Sequence, residues 1–275
     1  MEIVYNNAYR IAKILWIEDE LRMLPKVSRG EDSGNAVIRV YDDCGVRRHI
    51  YKIKSAKGAG LAQIADRREE LKGLRKRILA SLKYNADPGE YHVELTAPFK
   101  IMREDWEQMR SQSNPKKIYG DYWHGNIHMR SRFEVNTAII LDKLGLEYKY
   151  EAELWINGRK IHPDFVVYLP EFGVCFIIEC MGGIGSADYD SDAVNRLRLL
   201  TDGGYIPFRD FLVLGGSEHF IPTAVWVENS IIQMVNSIAA ECVMPVGKKV
   251  VRQYDDPLTA ELPPDIAARI AEEWG

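Results

Sequence analysis

The chain has 275 residues, a mass of 31.5 kDa, 46% hydrophobic residues and 28% charged residues. This composition excludes a largely disordered chain and supplies apolar material for a sizeable core, spread over roughly two domains of about 150 residues. The net charge of −4 argues against a general nucleic-acid coat. No apolar run approaches the ~18 residues of a membrane span, so no membrane partner is expected. Four cysteines without C-x-x-C spacing, and no basic-then-apolar leader in Met1-Glu2-Ile3-Val4-Tyr5, predict reduced thiols in a cytoplasmic protein.

A helix is predicted over residues 4–24, where Ile11, Ile14, Leu15 and Leu21 share a side and Pro25 follows. Residues 36–53 alternate around Asp42-Asp43-Cys44-Gly45, the pattern of a β-hairpin. A second helix over 61–83 has Leu61, Ile64, Leu71, Leu74, Ile78 and Leu82 at near-helical spacing, and Asp87-Pro88-Gly89 ends the pattern. Residues 1–95 thus read as a small α+β module. Residues 96–127 hold Trp106, Tyr119, Tyr122 and Trp123 in weak periodicity and read as a connecting region packed on one of the domains.

The charge is unevenly spread. Twelve Lys/Arg lie between Cys44 and Tyr84 against three acids, a net of +9, which leaves −13 for the remainder. Arg47, Arg48, Arg67, Arg68, Lys72, Arg75, Lys76 and Arg77 are therefore candidates for a nucleic-acid-facing surface. A solvated helix face explains the same residues and stays open at this point.

In the second half, 131–144 is a strong helix candidate ending at Gly145. Residues 148–156 and 161–169 read as two strands joined at Asn157-Gly158. Residues 173–180 are apolar up to Glu179, as a central buried strand would be. A helix over 188–201, a strand over 210–214 and a helix over 222–241 complete an α-β-β-β-α-β-α order within 128–244. Residues 245–275 read as an acidic, Pro-containing tail with a short helix near its end.

Asp164, inside Ile161-His162-Pro163-Asp164-Phe165, and Glu179, closing Phe176-Ile177-Ile178, stand where a carboxylate is costly. Two antiparallel strands turning at Leu169-Pro170-Glu171-Phe172-Gly173 would set them side by side. Converging carboxylates call for a cation, and Mg²⁺ suits an oxygen-rich site that keeps room for water and phosphate. Such an ion polarises a phosphodiester and acidifies a water.

Pro163-Asp164, the strand ending in Glu179, and Glu134 on the preceding helix together resemble the PD-(D/E)xK nuclease superfamily. The resemblance covers roughly residues 128–240 and is nearest to a group of bacterial and phage members. That group has R-S-K-S-E opening the helix and P-D-F-T-I leading to W-E-H-F-G-M. The matching phrases are Arg130-Ser131-Arg132-Phe133-Glu134, Pro163-Asp164-Phe165-Val166-Val167 and Ile178-Glu179-Cys180-Met181-Gly182. The hairpin and basic helix after Leu24-Pro25 are similar to that group as well.

The resemblance implies an α/β fold with a restriction-endonuclease-like αβββαβ core. It implies Mg²⁺ or Mn²⁺ held by Asp164, Glu179 and the backbone carbonyl of Cys180, with Glu134 orienting water. The implied activity is hydrolysis of nucleic acid, DNA rather than RNA. One departure is clear: the superfamily's Lys two residues after the second acid is Met181 here. His162 and Lys160, at alternate positions before Asp164, and Arg196 or Arg198 on the following helix are the basic groups within reach. Met181 favours the alternative of an inactive nuclease fold that binds DNA or a protein partner; a homodimer is a further partner arrangement that stays open. Ser131-x-x-Glu134 is also a capping box, a competing role for Glu134. His124 and His128 have a helical metal-pair spacing, but Gly125 and Asn126 between them make a helix poor. Gly182-Gly183-x-Gly185 reads as a sharp exit from the central strand.

Overall fold

The computed structural model describes residues 5–83, 86–185, 187–217, 220 and 222–247. The predicted helix near the C-terminus lies outside them. The described part is a mixed α/β structure with six α-helices, and no helix in it is long and apolar enough to cross a membrane.

The first helix, α1 (Asn7–Met23), is started by Asn6, whose side chain accepts from the Tyr9 N–H. It carries two apolar faces. Ile14 and Ile17 pack on Leu71 and Ile78 of α2 (Ala56–Ser81), while Tyr9 and Ala12 join the main core. Between the two helices lies an antiparallel sheet of β1 (Val27–Asp32), β2 (Asn35–Tyr41) and β3 (Arg47–Lys52). The β2–β3 turn falls at the expected residues. Strand β1 carries no apolar alternation in its sequence, Val-Ser-Arg-Gly-Glu-Asp. Only Val27 of it is buried, so its ladder to β2 holds it rather than a core face. Gly58 lets α2 begin hard against β3: a Cβ there would lie 2.0 Å from the Lys52 carbonyl oxygen.

The basic residues of this module divide into two sets. Arg68 donates to the carbonyls of Leu21 (2.7 Å) and Leu24 (2.9 Å), closing the C-terminus of α1. Arg75 reaches Glu18 on α1 at 2.8 Å. Arg48 is held by Asp42, Arg67 by Glu70 and Lys72 by Glu69. Arg47, Lys76 and Arg77 are exposed and have no ion pair among the described residues.

A short 3-10 turn (Pro88–Glu90) leads into β4 (Tyr91–Val93). The connecting region contains β5 (Ile101–Met102), α3 (Arg103–Gln108), β6 (Tyr122–His124) and β7 (Ile127–Met129). Trp106 of α3 stacks on Tyr168 of the central sheet with ring centroids 5.2 Å apart.

The rest of the chain runs α4 (Arg132–Leu144), β8 (Glu147–Tyr150), β9 (Leu154–Ile156), β10 (Arg159–Ile161), β11 (Phe165–Leu169), β12 (Val174–Ile184), α5 (Ala187–Asp202), β13 (Phe211–Ser217), α6 (Ala224–Cys242) and β14 (Val243–Pro245). Helix α4 ends at Gly145, whose φ of +70° supplies the left-handed cap. The central sheet has the order β13-β12-β11-β8, with β5 beside the start of β12. Strands β8, β11 and β12 are antiparallel neighbours, and β12 runs parallel to β13. Strand β14 returns to pair with β4.

Both central strands are apolar on both faces, because helices cover both. Phe165, Val167 and Leu169 of β11, with Val174, Phe176 and Ile178 of β12, meet α1, α4 and α6. Val166, Tyr168, Cys175 and Ile177 meet Leu200 of α5 and, through Trp106, α3.

One expectation is corrected and another is refined. The predicted 148–156/161–169 hairpin is two separate features: β8 pairs directly with β11, and β9–β10 is a small hairpin inserted between them. Glu151 at φ +45° and Pro163 break the runs that read as continuous strands. Asn157 and Gly158 do make the tight turn, both with positive φ, but within the insert. Of Gly182-Gly183-x-Gly185, the first two stay within β12, which continues to Ile184 across a shift in register, and the exit falls at Gly185, whose φ is +103°.

The two sets of cations predict different phenotypes. Arg68→Ala removes a charged donor from the α1 terminus and is expected to cost about 2 kcal/mol, on the order of 4–8 °C in Tm. Lys76→Ala and Arg77→Ala should stay within about 0.5 kcal/mol of the parent. Thermal unfolding followed by circular dichroism checks both; equal effects at Arg68 and Arg77 would contradict the division.

Candidate functional site

The pairing of β11 with β12 decides where the two costly carboxylates go. Phe165 lies opposite Ile178. One further step along the same register sets Asp164 opposite Glu179. Strand alternation puts both on the α5 side of the sheet, with Val166 and Tyr168 on one strand and Cys175 and Ile177 on the other. The two are tied through the backbone: the Cys180 N–H donates to Asp164 Oδ2 at 2.6 Å, and the Asp164 N–H stabilises the Glu179 carboxylate in return.

These acids open onto a pocket of about 610 Å³. Glu134, Lys160, His162, Asp164, Glu179, Cys180 and Arg196, the predicted site residues of the second half, all line it. Arg47, Arg48, Arg67, Arg68, Lys72, Arg75, Lys76 and Arg77 lie apart from it, on the first module.

Glu179 is 2% exposed, and its Oε1 accepts from Arg196 Nε at 2.8 Å. Arg196 also donates through Nη2 to the His162 carbonyl. Burial raises the Glu179 pKa, and Arg196 only partly pulls it back. Burial likewise lifts Asp164 well above the ordinary carboxylate range, and the charges of Glu179 and Glu134 push it further. For Arg196, burial works against the charge, but Glu179 and Asp164 outweigh it and the guanidinium stays protonated. His162 is held below its usual pKa by burial, and its Nε2 is buried without a hydrogen-bond partner. Its imidazole is therefore neutral near pH 7. Lys160 pairs with Glu153 at 2.8 Å. Met181, where the superfamily's Lys would stand, is 5% exposed.

Glu134 takes part in the predicted cap at the start of α4. Ser131 Oγ accepts the Glu134 N–H at 3.2 Å, the first half of the capping box. The second half is displaced by one residue: Glu134 Oε2 takes the Arg130 N–H at 2.9 Å, together with the Tyr150 hydroxyl at 2.6 Å. Ser131 Oγ also donates to Oε1 at 2.9 Å. Burial and this hydrogen bond to Glu134 raise the Tyr150 pKa, so the phenol stays a donor.

A further buried acid that the sequence did not single out stands beside the site. Glu151 is held by Arg130 (2.6 and 3.2 Å) and by Asn114 (2.6 Å), and its N–H donates to the Asp164 carbonyl at 3.1 Å. Tyr150-Glu151-Ala152 carries the signal that marked Glu179, an acid among apolar neighbours. Asn114 and Lys116, which also line the pocket, come from a stretch with no such signal. The His124/His128 pair is accounted for by the β6–β7 hairpin: His124 meets Asp142, and His128 meets the Gly120 carbonyl.

Among the described residues no three His, Cys, Asp or Glu side chains form a metal-binding group. The pair offers two carboxylates, and the resemblance adds the Cys180 carbonyl, which would make a set of hard oxygens. That set fits Mg²⁺ or Mn²⁺, which accept water in the remaining positions, and does not fit a structural zinc. Burial is the main cause of the raised carboxyl pKa values, and neighbouring acids add to it. Comparison with protein-family models, with curated proteins and with solved structures finds no match.

A carboxyl with a raised folded-state pKa binds its proton more tightly when folded. Stability is therefore lost as pH rises from the ordinary carboxylate range through the raised value. Asp164→Asn keeps an oxygen for the Cys180 N–H and removes the charge. In EDTA it is expected to raise Tm at pH 8 by about 2–4 °C, the effect of roughly 1 kcal/mol, and by less at pH 5. A variant less stable than the parent at pH 8 would show that the acid is satisfied as it stands.

Proposed function

We propose that this chain is a metal-dependent nuclease of the PD-(D/E)xK type, acting in the cytoplasm on nucleic-acid phosphodiesters, DNA rather than RNA. The observation that carries the reading is the register that sets Asp164 opposite Glu179 on one sheet face, at a pocket rimmed by cations. The order α4-β8-β11-β12-α5-β13, with β12 and β13 parallel, supports a restriction-endonuclease-like core.

Asp164, Glu179 and the Cys180 carbonyl would hold Mg²⁺ or Mn²⁺, which supplies Lewis acidity toward the phosphoryl oxygen and lowers the pKa of a water. The remaining work falls to side chains of the chain itself. Glu134, fixed by Tyr150, Arg130 and Ser131, accepts a hydrogen bond from the attacking water and orients it. Arg196 is the cation beside the carboxylates and stabilises charge developing on the phosphoryl group. Lys116, Arg159 and Lys160 draw the phosphate backbone to the pocket mouth. Neutral His162 lines the pocket and leaves Arg196 as the cation beside the acids. Arg47, Lys76 and Arg77 hold flanking backbone without reading sequence.

A second reading, a nuclease fold that binds DNA or a protein without cutting, has its own support. Met181 is buried where a Lys would act, and Arg196 already supplies Glu179 with a counter-charge. Cleavage of plasmid and single-stranded circular DNA in Mg²⁺ or Mn²⁺ separates the two. The nuclease reading expects cutting by the parent chain and none above background by Asp164→Ala or Glu179→Ala. Binding without cutting in either metal would establish the second reading.

A further inference from the structure

The β9–β10 hairpin is inserted between two core strands that pair without it, so the sheet does not require it. It is nonetheless firmly seated. Leu154 and Ile156 are buried in the core on the α5 side, Asn157 donates to the Asp202 carbonyl at 3.2 Å, and Ile156 presses on Gly203. Its outer face carries Trp155 and Lys160, direct partners across the hairpin. Trp155 is 60% exposed. Glu153 fixes both, accepting from the indole N–H at 2.9 Å and pairing with Lys160 at 2.8 Å, and Lys160 lies 5.2 Å from the indole centroid.

The hairpin also forms the wall between two hollows. On one side Arg159, Lys160 and His162 line the pocket of Asp164 and Glu179. On the other, Trp155 lines a hollow of about 530 Å³ with Lys100, Arg110 and Tyr205. The acids of this second hollow are already engaged: Glu153 as above, and Asp105 by the Met102 N–H. A rigid element that presents an exposed indole between two groups of cations matches a chain that alternates anionic phosphates with flat π-faces. An indole can stack only on a base not already stacked and paired within a duplex.

We propose that the β9–β10 hairpin guides single-stranded nucleic acid, with Trp155 stacking an unpaired base while Arg159 and Lys160 hold the adjoining phosphates at the acid pair. This rests on the nuclease reading and narrows its substrate to single-stranded or locally unpaired DNA.

Fluorescence anisotropy with a labelled oligothymidylate and with a blunt mixed-sequence duplex, in Ca²⁺ to suppress cutting, tests the assignment. Trp155→Ala should weaken oligothymidylate binding roughly ten-fold or more. Trp155→Phe should retain most of the affinity, and duplex binding should be unchanged in both. Trp155 is exposed, so both variants should keep the parent Tm, which reports folding directly. Oligothymidylate affinity of Trp155→Ala equal to that of the parent would overturn the stacking role, as would a parent chain that prefers the duplex. If metal-dependent, Asp164-dependent cleavage persists in that case, only this inference falls. A parent chain that neither binds nor cuts either DNA removes the nuclease reading with it.

Discussion

Two carboxylates facing each other across adjacent core strands, Glu179 buried and Asp164 half-buried, are the constraint around which the site is organised. Burial destabilises both charged forms; the charge of Glu179 adds to this at Asp164, and the charge of Glu134 adds to it at Glu179. The position follows from β11 and β12, whose apolar faces on both sides fix the register with the full weight of the core. Shifting that register by one residue would turn every buried side chain to the wrong face. The acids are thus held together by groups remote from any chemistry they perform.

The surrounding residues offset this cost in part. Arg196 pairs with Glu179, the Cys180 N–H caps Asp164, and three donors fix Glu134 with an acceptor site left over. Glu151 is neutralised by Arg130 and ties the start of the inserted hairpin to the Asp164 backbone. What remains uncompensated is centred on Asp164. Arg196 has a dual significance there: under the proposed function it would face a phosphoryl group, and its ion pair with Glu179 would compete with a bound ion. The two functional readings differ in which of these roles prevails.

The sequence carried the long elements and the acid pair well, because both leave strong local signals. The helical periodicity of α4, the apolar run of β12, and acids stranded in apolar surroundings at Asp164 and Glu179 are examples. Elements held by pairing rather than burial were not legible: β1 presents only Val27 to a core, and β5 has two residues. The β9–β10 insert was masked because Asn157-Gly158 marks a turn without saying which strands it joins. Composition of the basic segment did not separate its members either. Arg68 and Arg77 are alike in sequence, but Arg68 closes α1 by hydrogen bonds to residues more than forty positions away.

Calorimetric titration with Mn²⁺ tests the central claim most directly, because it reads the carboxylate pair without requiring turnover. The acid pair predicts a single site whose affinity rises with pH as the raised carboxyl groups ionise, with protons released on binding wherever those groups are still protonated. It predicts that this site is lost in Asp164→Asn and in Glu179→Gln. Binding that survives both substitutions, or none by the parent chain at any pH where it is folded, would contradict it.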